Sequence, residues 1–164
     1  THLAELYRRI FEAPVMVVRP FLTYGPLQTN NMFVPATIRA ALQGESLMMT
    51  KGEQTRDFNF VSDIVDGLVR MAEVINCEEY ILNLGSGIET TIASVAQLIY
   101  QLCGSKNQPC LGSIPYRPGE TMHFYCDNQR AQKILNWRPR VTLREGLMRT
   151  IEWYRNYLQQ GRLK

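Results

Sequence analysis

Apolar and polar positions along this chain follow two periods, one helical and one strand-like. Stretches with apolar residues at helical spacing end near glycine or proline, which is typical of amphipathic helices. Shorter runs rich in valine, isoleucine, leucine and phenylalanine lie between them and predict strands. This order of elements predicts an α/β protein. The predicted helices span residues 1–11, 31–42, 62–74, 92–102, 127–135 and 142–158.

Two of the short runs consist almost entirely of apolar residues. Val15–Val18 and Ile81–Leu84 predict strands buried on both faces, as in a parallel sheet with helices on each side. The first run continues into a loop rich in proline and glycine that ends at Pro26. Because open α/β sheets bind ligands at the carboxyl ends of their strands, this loop is a candidate binding element.

The run around Arg56 alternates apolar and polar residues. Phe58 and Phe60 alternate with Asp57 and Asn59, so we expect a half-buried strand with one polar face. Arg56 stands at its entrance, at the rim of any cleft that the strand borders. A guanidinium there suits a phosphate, because its planar donors match phosphate oxygens two at a time.

The end of the same run predicts a helix start. Ser62 and Asp63 are residues that cap helices, and an apolar helical pattern follows them. Composition alone favours a plainer interpretation of Arg56, as a surface ion pair with Asp57 or Asp63.

Composition narrows the range of functions. With 164 residues, 45% hydrophobic and 20% charged, the chain has the size and make-up of one globular domain. Its net charge of +3 comes from scattered lysines and arginines, which favours a small anionic ligand over nucleic acid. No apolar run approaches the roughly 20 residues of a membrane helix, so we expect no membrane partner and a cytoplasmic location, unless a leader has been lost.

Cysteine and histidine give little support to metal or triad chemistry. The four cysteines contain no Cys-x-x-Cys pair, and the only histidines are His2 and His123. We therefore expect no metal site, with the cysteines as free thiols.

Several motifs together resemble one family. The Arg-Asp-Phe-x-Phe-Val-x-Asp stretch that starts at Arg56 is similar to a motif of extended short-chain dehydrogenase/reductases that act on nucleotide-diphosphate sugars, the NAD-dependent epimerase/dehydratase family. Others follow the family's order along the whole chain: an Arg-Pro-Phe-x-x-Tyr-Gly-Pro loop at 19–26, an asparagine and glycine turn at 83–87, an Arg-Pro-Gly-acid turn at 117–120, and a Leu-Asn-Trp-x-Pro stretch at 135–139 in which Asn136 replaces the usual glycine.

The resemblance implies roles for residues at strand ends. Arg56 and Arg117 would both reach the diphosphate of the substrate, with Glu120 close to the nucleotide ribose. Phe21 matches an aromatic position that packs near the nicotinamide. Leu22 departs from the family, since many relatives have an asparagine there that touches the sugar or its phosphate, and leucine cannot donate that hydrogen bond.

Further substrate contacts are implied by position. Asn31, Met48 and Thr50 match the pocket for the nucleotide base, Asn83 matches an asparagine on the nucleotide side, and Phe58 is counted with the substrate-binding residues. Two plainer alternatives stay open. Met48 could simply pack in the core, and Asn83 could hydrogen-bond its own turn.

The family's catalytic Tyr-x-x-x-Lys and its glycine-rich nucleotide loop have no counterpart in this sequence. The Gly85–Gly87 turn does not have the dinucleotide-binding spacing. The resemblance therefore implies a carboxyl-terminal portion: the last parallel strands and helices of a Rossmann-type sheet plus a small mixed α/β substrate-binding domain, incomplete without the upstream half. Residues 1–26 and about 60–90 would contribute to the sheet, and about 27–59 and 105–164 to the substrate-binding part.

The function implied is the nucleotide-sugar-binding part of an NAD- or NADP-dependent epimerase or dehydratase. In the whole enzyme, hydride transfer at sugar C4 would give a 4-keto intermediate. Alternatives are a 4-ketoreductase of the same family and a non-catalytic nucleotide-sugar-binding module. The chain by itself is expected to be inactive, the whole protein to be a homo-oligomer, and the strands built for burial to promote self-association.

Overall fold

The computed structural model describes residues 1–74 and 80–159. In this part of the chain six helices and seven short strands form, which confirms the predicted α/β class. The helices are α1 (His2–Phe11), α2 (Phe33–Gln43), α3 (Val61–Ala72), α4 (Ile92–Cys103), α5 (Gln129–Leu135) and α6 (Leu143–Gln159). The strands are β1 (Val17–Pro20), β2 (Thr23–Tyr24), β3 (Thr55–Arg56), β4 (Asn59–Phe60), β5 (Ile81–Leu84), β6 (Thr90–Thr91) and β7 (His123–Phe124).

The strands form three small sheets. β1 pairs in parallel with β5, and β2 pairs in parallel with β4. The third sheet has the order β6-β3-β7, in which β3 runs antiparallel to β6 and parallel to β7. The third sheet is therefore mixed, whereas the two strand pairs are parallel.

Burial of the β1–β5 pair is one-sided, so the prediction of strands buried on both faces is wrong. Leu82 and Leu84 are fully buried, whereas Ile81 and Asn83, which alternate with them along β5, are half-buried, and β1 passes from half-buried to exposed. The reason is that α3 and α5 cover one face of the pair, and α1 contributes no buried residue. The apolar side chains of α1 stay exposed: Leu3, Leu6, Tyr7, Ile10 and Phe11.

Two apolar cores hold the molecule together. The smaller core joins α3, β5 and α5, and Trp137 belongs to it, only 1% exposed. The larger core joins α2, α4 and α6 to β2 and β4. Its most completely buried side chains are Ile38, Val95, Ile99, Tyr100 and Leu147.

The predicted half-buried strand after Gln54 is wrong in detail. It is divided into β3 and β4, and its supposedly polar face is buried, since Asp57 and Asn59 are 0% and 2% exposed. The cause lies outside the strand. Asp57 accepts hydrogen bonds from another loop, so its carboxylate is satisfied inside the protein rather than by water.

Asp63 does not cap α3 as predicted. The helix begins at Val61 after Phe60, and the Asp63 carboxylate accepts instead from the Val141 amide at 2.9 Å. The Asp63 carbonyl accepts from the Trp137 indole at 3.0 Å. This residue therefore ties α3 to the loop before α6.

Side chains accept from backbone amides near the start of three other helices. Thr91 caps α4 by accepting from the Ser94 amide. Asn128, rather than Asp127, occupies the cap position of α5, although Asp127 accepts from the Gln129 amide at 3.0 Å. Thr142 accepts from the Glu145 amide at 3.3 Å, which is one half of a capping box.

Two segments that flank the larger core form no regular strand. Residues 46–50 make only an isolated bridge between Met48 and Cys110, and residues 111–116 form turns. The predicted end of the third helix at Val74 is also too long, because α3 ends at Ala72. Asn136 ends α5 with a φ of 47°, the left-handed conformation that explains a glycine at this position in relatives.

Candidate functional site

Two arginines that lie far apart in the sequence line the same surface pocket. Arg56 comes from the end of β3 and Arg117 from the turn at 117–120, and the pocket between them has a volume of about 370 Å³. We call this the arginine pocket. Its lining residues are Arg56, Arg117, Pro118, Gly119, Glu120 and Thr121.

Glu120 connects the two guanidinium groups. Its Oε1 lies 2.6 Å from Nη2 of Arg56, and its Oε2 lies 3.6 Å from Nη2 of Arg117. The Arg56 and Glu120 side chains are 18% and 12% exposed, whereas that of Arg117 is 89% exposed. The interpretation of Arg56 as an ion-pair partner of Asp57 or Asp63 is therefore wrong, because its acidic partner is Glu120.

Contacts with nearby backbone groups fix the positions of both Arg56 and Glu120. Nη1 of Arg56 donates to the carbonyls of Thr55 at 2.6 Å and Thr121 at 2.8 Å. These bonds fix the guanidinium group against the segment that precedes β7. The turn closes through the Glu120 amide, which donates to the Arg117 carbonyl at 3.1 Å. Gly119 has a φ of 75°, which a proline-glycine turn requires at that position.

An aromatic pair borders the same sheet. Arg56 pairs with Thr90 on β6 and with Phe124 on β7, so these three side chains share one face of the β6-β3-β7 sheet. The Phe124 ring is 51% exposed and stacks on Phe21, with ring centroids 5.0 Å apart and planes 23° apart. The sequence did not single out Phe124. Its only signal was an aromatic residue shortly after the Arg-Pro-Gly-Glu turn.

Asp57 occupies the glycine turn after β5. Its carboxylate accepts from Ser86 N at 3.1 Å, Ser86 Oγ at 2.6 Å and Gly87 N at 2.9 Å. The Cys126 amide at 3.3 Å and the Asn59 side chain at 3.0 Å also donate to it. Because these turn amides already bind a carboxylate, they cannot at the same time hold a phosphate. This agrees with the prediction that the turn is not a dinucleotide-binding loop.

The three residues predicted for the base pocket do not line the arginine pocket. Asn31 is exposed in the turn before α2, and Met48 is 62% exposed. Core packing of Met48, the alternative interpretation, is therefore wrong, and the neighbouring Met49 is the buried one at 7%. Thr50 Oγ1 accepts from the Gly52 amide and from the Gln54 side chain, each at 3.3 Å.

Asn83 and Phe58 also lie apart from the arginine pocket. Asn83 donates to the Asp127 carbonyl at 3.3 Å, rather than to its own turn, and lines a separate polar pocket with Arg19. Phe58 is only 7% exposed, and its ring packs against those of Tyr24 and Phe33 in the larger core. Leu22 is partly buried against the same core.

Two cysteine thiols that lie outside the arginine pocket are shielded from solvent. Burial raises the pKa of the Cys126 thiol to about 12 and that of Cys103 to about 11, so both stay protonated at neutral pH. Within the described ranges no three histidine, cysteine or acidic side chains are grouped so that they could hold a metal ion. In the same ranges no helix has the length and apolar character needed to cross a membrane.

Comparison with known proteins decides the family. The model of the family described as GDP-mannose 4,6 dehydratase matches residues 1–150. The chain belongs to that family. The predicted kinship with NAD-dependent epimerases and dehydratases of the extended short-chain dehydrogenase/reductase type is thereby confirmed.

Individual relatives in this family act on nucleotide sugars, by their names. The chain is 36% identical over 151 residues to a UDP-N-acetyl-alpha-D-glucosaminuronate decarboxylase of Bacillus cytotoxicus, covering 87% of this chain and 46% of that protein. It is 31% identical over 159 residues to a UDP-glucose 4-epimerase of Mycolicibacterium smegmatis, covering 94% and 50%. The chain thus spans about half the length of the curated relatives it matches.

Solved structures show the same relation. A UDP-glucose 4-epimerase of Thermotoga maritima with UDP-glucose matches with a TM-score of 0.88 and 28% identity, over 96% of this chain and 51% of that one. MoeE5 in complex with UDP-glucose and NAD matches with a TM-score of 0.86 and 35% identity, over 96% and 53%. The predicted Rossmann-type α/β fold is confirmed.

Proposed function

We propose that this chain is the nucleotide-diphosphate-sugar-binding part of an NAD-dependent sugar-nucleotide epimerase or dehydratase. The observation that carries the proposal is the convergence of Arg56 and Arg117 on one pocket. A diphosphate offers several oxygens and about two negative charges, which suits two guanidinium groups approaching from different elements.

Glu120 keeps the two arginines near each other until a ligand arrives. Its carboxylate contacts both guanidinium groups, where phosphate oxygens of the ligand would bind. Each charge-assisted contact to a phosphate contributes roughly 1.5–3 kcal/mol, so a diphosphate can replace the carboxylate at Arg56 and at the exposed Arg117. Glu120 would then be free to accept from a ribose hydroxyl, the role that the family resemblance implies.

Relatives point to uridine nucleotides. The Bacillus cytotoxicus decarboxylase and the Mycolicibacterium smegmatis epimerase are named for UDP-sugars. We therefore propose a UDP-sugar as the substrate. Asn31, Met48 and Thr50 are proposed to lie near the base. Phe58 and Asn83 are proposed as further residues of the substrate-binding region. Exposure of Asn31 and Met48 leaves both side chains available for such contacts.

NAD is the proposed cofactor, by analogy with the NAD complex of MoeE5. The described residues fit one end of it: Phe21, at the carboxyl end of β1 and stacked on Phe124, offers an aromatic surface for the nicotinamide. They do not offer a phosphate cradle, because the Gly85–Gly87 turn binds Asp57. NAD supplies hydride transfer at sugar C4 when bound, and we propose that its phosphates are held by residues outside this chain.

The remaining proposals concern the whole protein. We propose that it is a cytoplasmic homo-oligomer in which this chain is the carboxyl-terminal portion, and that the chain alone is inactive. The division into sheet-forming residues (1–26 and about 60–90) and substrate-binding residues (about 27–59 and 105–164) is proposed on the same grounds.

Titration calorimetry on the full-length polypeptide tests the function. Ligands would be UDP, UDP-glucose, UDP-glucuronic acid, GDP-mannose and dTDP-glucose. We expect UDP and at least one UDP-sugar to bind, and Arg56→Ala and Arg117→Ala each to weaken binding by roughly 10- to 100-fold, since each removes a charge-assisted contact.

Arg144→Ala is the matched control, because Arg144 is an exposed arginine on α6 that lines a different surface. It should bind like the wild type. Absence of binding by any nucleotide, or equal effects of all three arginine changes, would refute the proposal. Binding without turnover in the presence of NAD would instead favour a non-catalytic nucleotide-sugar-binding module.

A further inference from the structure

A polar cluster lies behind the strand that carries Arg56. Oε1 of Glu89 is 2.5 Å from Oγ1 of Thr55 and 2.5 Å from Nδ1 of His123. Thr55 is buried, whereas the His123 side chain is 72% exposed and that of Glu89 35%. These three residues have no part in the function proposed above.

The cluster spans all three strands of the β6-β3-β7 sheet. Glu89 directly precedes β6, Thr55 belongs to the central strand β3, and His123 opens β7. The register places Thr55 beside Thr91 and His123 on one face, while Arg56 lies on the opposite face. Glu89 therefore reaches across the back of the sheet and joins its two outer strands.

β7 is a short strand, held in part by the Phe124 ring that stacks on Phe21. It is two residues long and pairs with β3 alone in the described parts of the chain. Directly before it, the Met122 carbonyl accepts from the Thr55 amide at 2.7 Å and the Thr121 carbonyl accepts from Arg56 at 2.8 Å. The same short segment carries Glu120, so any slip of β7 moves the acidic group that organises the arginine pocket.

Glu89 is the hydrogen-bond acceptor at the centre of this cluster. Hydrogen bonds from Thr55 and then His123 lower the pKa of Glu89, so its carboxylate is ionised. Glu89 is the charged group that faces His123 from the β6 side. The β3 residue that faces His123 is Thr55, which is neutral. Arg56, the next residue on β3, is directed to the opposite face of the sheet.

We propose that Glu89 and His123 are positioning residues, which clamp β7 across the back of the sheet and thereby hold Glu120 and Arg117 in register with Arg56 for binding a nucleoside diphosphate. This inference rests on the proposed function of the arginine pocket. It adds a requirement that the pocket itself does not show, namely an intact acid–imidazole contact on the opposite face.

The direction in which one substitution changes the affinity for an anion distinguishes a positioning role from a purely electrostatic effect. Removing the negative charge of Glu89 makes the surroundings of the pocket more positive, which by itself strengthens the binding of an anion. Loss of the clamp weakens binding instead. Glu89→Gln therefore discriminates between the two effects, with Glu145→Gln on α6 as the control for an equal change of charge elsewhere.

The test measures the dissociation constant of UDP for the full-length polypeptide by calorimetry. We expect Glu89→Gln and His123→Ala each to weaken binding about threefold, the size of a cross-strand side-chain contact. His123→Gln keeps an amide donor for Glu89 and should restore most of the affinity. Glu145→Gln should bind as tightly as the wild type or slightly more tightly.

Hydrogen exchange gives a second readout that needs no ligand. The Thr55 amide, which donates to Met122, should exchange faster in Glu89→Gln and in His123→Ala than in the wild type. Unchanged exchange together with UDP binding at or above the wild-type level in Glu89→Gln would overturn the clamp. Faster exchange in a protein that does not bind UDP at all would support the clamp and refute the proposed function.

Discussion

The two ends of this molecule bury their apolar residues to very different degrees. Around α4 and α6 the centres of the apolar stripes of the helices are covered, and Ile99 and Leu147 are 0% exposed. At the amino-terminal end, α1 has an equally regular apolar stripe but no buried residue. The sequence pattern alone does not distinguish them, so helical periodicity predicts which face of a helix is apolar and not whether that face is covered.

The arginine pocket belongs to the well-packed end. β3 lies between β6 and β7, and Phe58 and Phe60 just after it belong to the larger core. A guanidinium anchored on such a base can be held in a defined position, as Arg56 is by two backbone carbonyls. This comparison indicates that the well-packed end is organised to hold a ligand, whereas the apolar face of α1 is left uncovered.

A core truncation should give the largest contrast. Leu147→Ala in α6 removes a fully buried side chain from the larger core, and we expect it to lower the free energy of unfolding by about 2–5 kcal/mol. The control is Leu6→Ala in α1, whose side chain is 48% exposed and whose loss should change stability by less than about 0.5 kcal/mol. Urea denaturation monitored by circular dichroism measures both, and equal losses would contradict the comparison.

Asp57 should be the most sensitive polar residue at the well-packed end. Asp57→Asn replaces an acceptor of five hydrogen bonds with a group that also donates, which we expect to destabilise the fold by about 3 kcal/mol.

Asp66→Asn provides the matched control for that substitution. Asp66 pairs with Arg70 one turn along the surface of α3, and such pairs contribute about 0.3–0.5 kcal/mol. Thermal unfolding of both variants should therefore show a clear loss for Asp57→Asn only. A similar loss for the two would mean that the buried carboxylate is not what holds the glycine turn.

The α1 face should govern association more than stability. Replacing Leu6 and Ile10 together by glutamate places charge on an exposed apolar stripe, so we expect self-association of the isolated chain to weaken. Its free energy of unfolding should change by less than about 1 kcal/mol. Sedimentation velocity over a range of concentrations checks this, and an unchanged sedimentation profile in a self-associating wild type would place the contact elsewhere.

Acid should loosen the β6-β3-β7 sheet through Glu89. Because the pKa of Glu89 is lowered in the folded protein, chiefly by hydrogen bonds from Thr55 and His123, its contribution to stability is present above the ordinary pKa of a glutamate. That contribution is lost as the pH falls through the lowered value. Melting temperatures between pH 3 and 7 should thus fall slightly less on acidification in Glu89→Gln than in the wild type, and parallel curves would contradict the assignment.

Much of the architecture followed from the sequence, because it depends on local pattern. Helix periodicity and the glycine stops of α2 and α4 were visible without the structure. The prediction that Arg56 and Arg117 approach the same ligand came from the order of the family's motifs rather than from helical or strand periodicity. Their common pocket is consistent with that interpretation, while their roles stay predictions.

What could not be predicted depends on contacts between distant segments. Two-residue strands such as β6 and β7 carry no periodic signal, so the sheet that surrounds Arg56 was invisible. The alternating pattern around Asp57 predicts a surface residue. Its carboxylate is a buried hydrogen-bond acceptor only because the glycine turn at 85–87 packs against it. The family resemblance placed Glu120 near the ribose, and nothing in the sequence shows that its carboxylate contacts both arginines.

A crystal structure of the full-length polypeptide with UDP tests the central claim most directly. We predict guanidinium nitrogens of both Arg56 and Arg117 at about 2.7–2.9 Å from oxygens of the diphosphate, with Glu120 displaced from its position between them. A diphosphate bound away from this pocket, or bound by one arginine while Glu120 still joins the pair, would contradict the account.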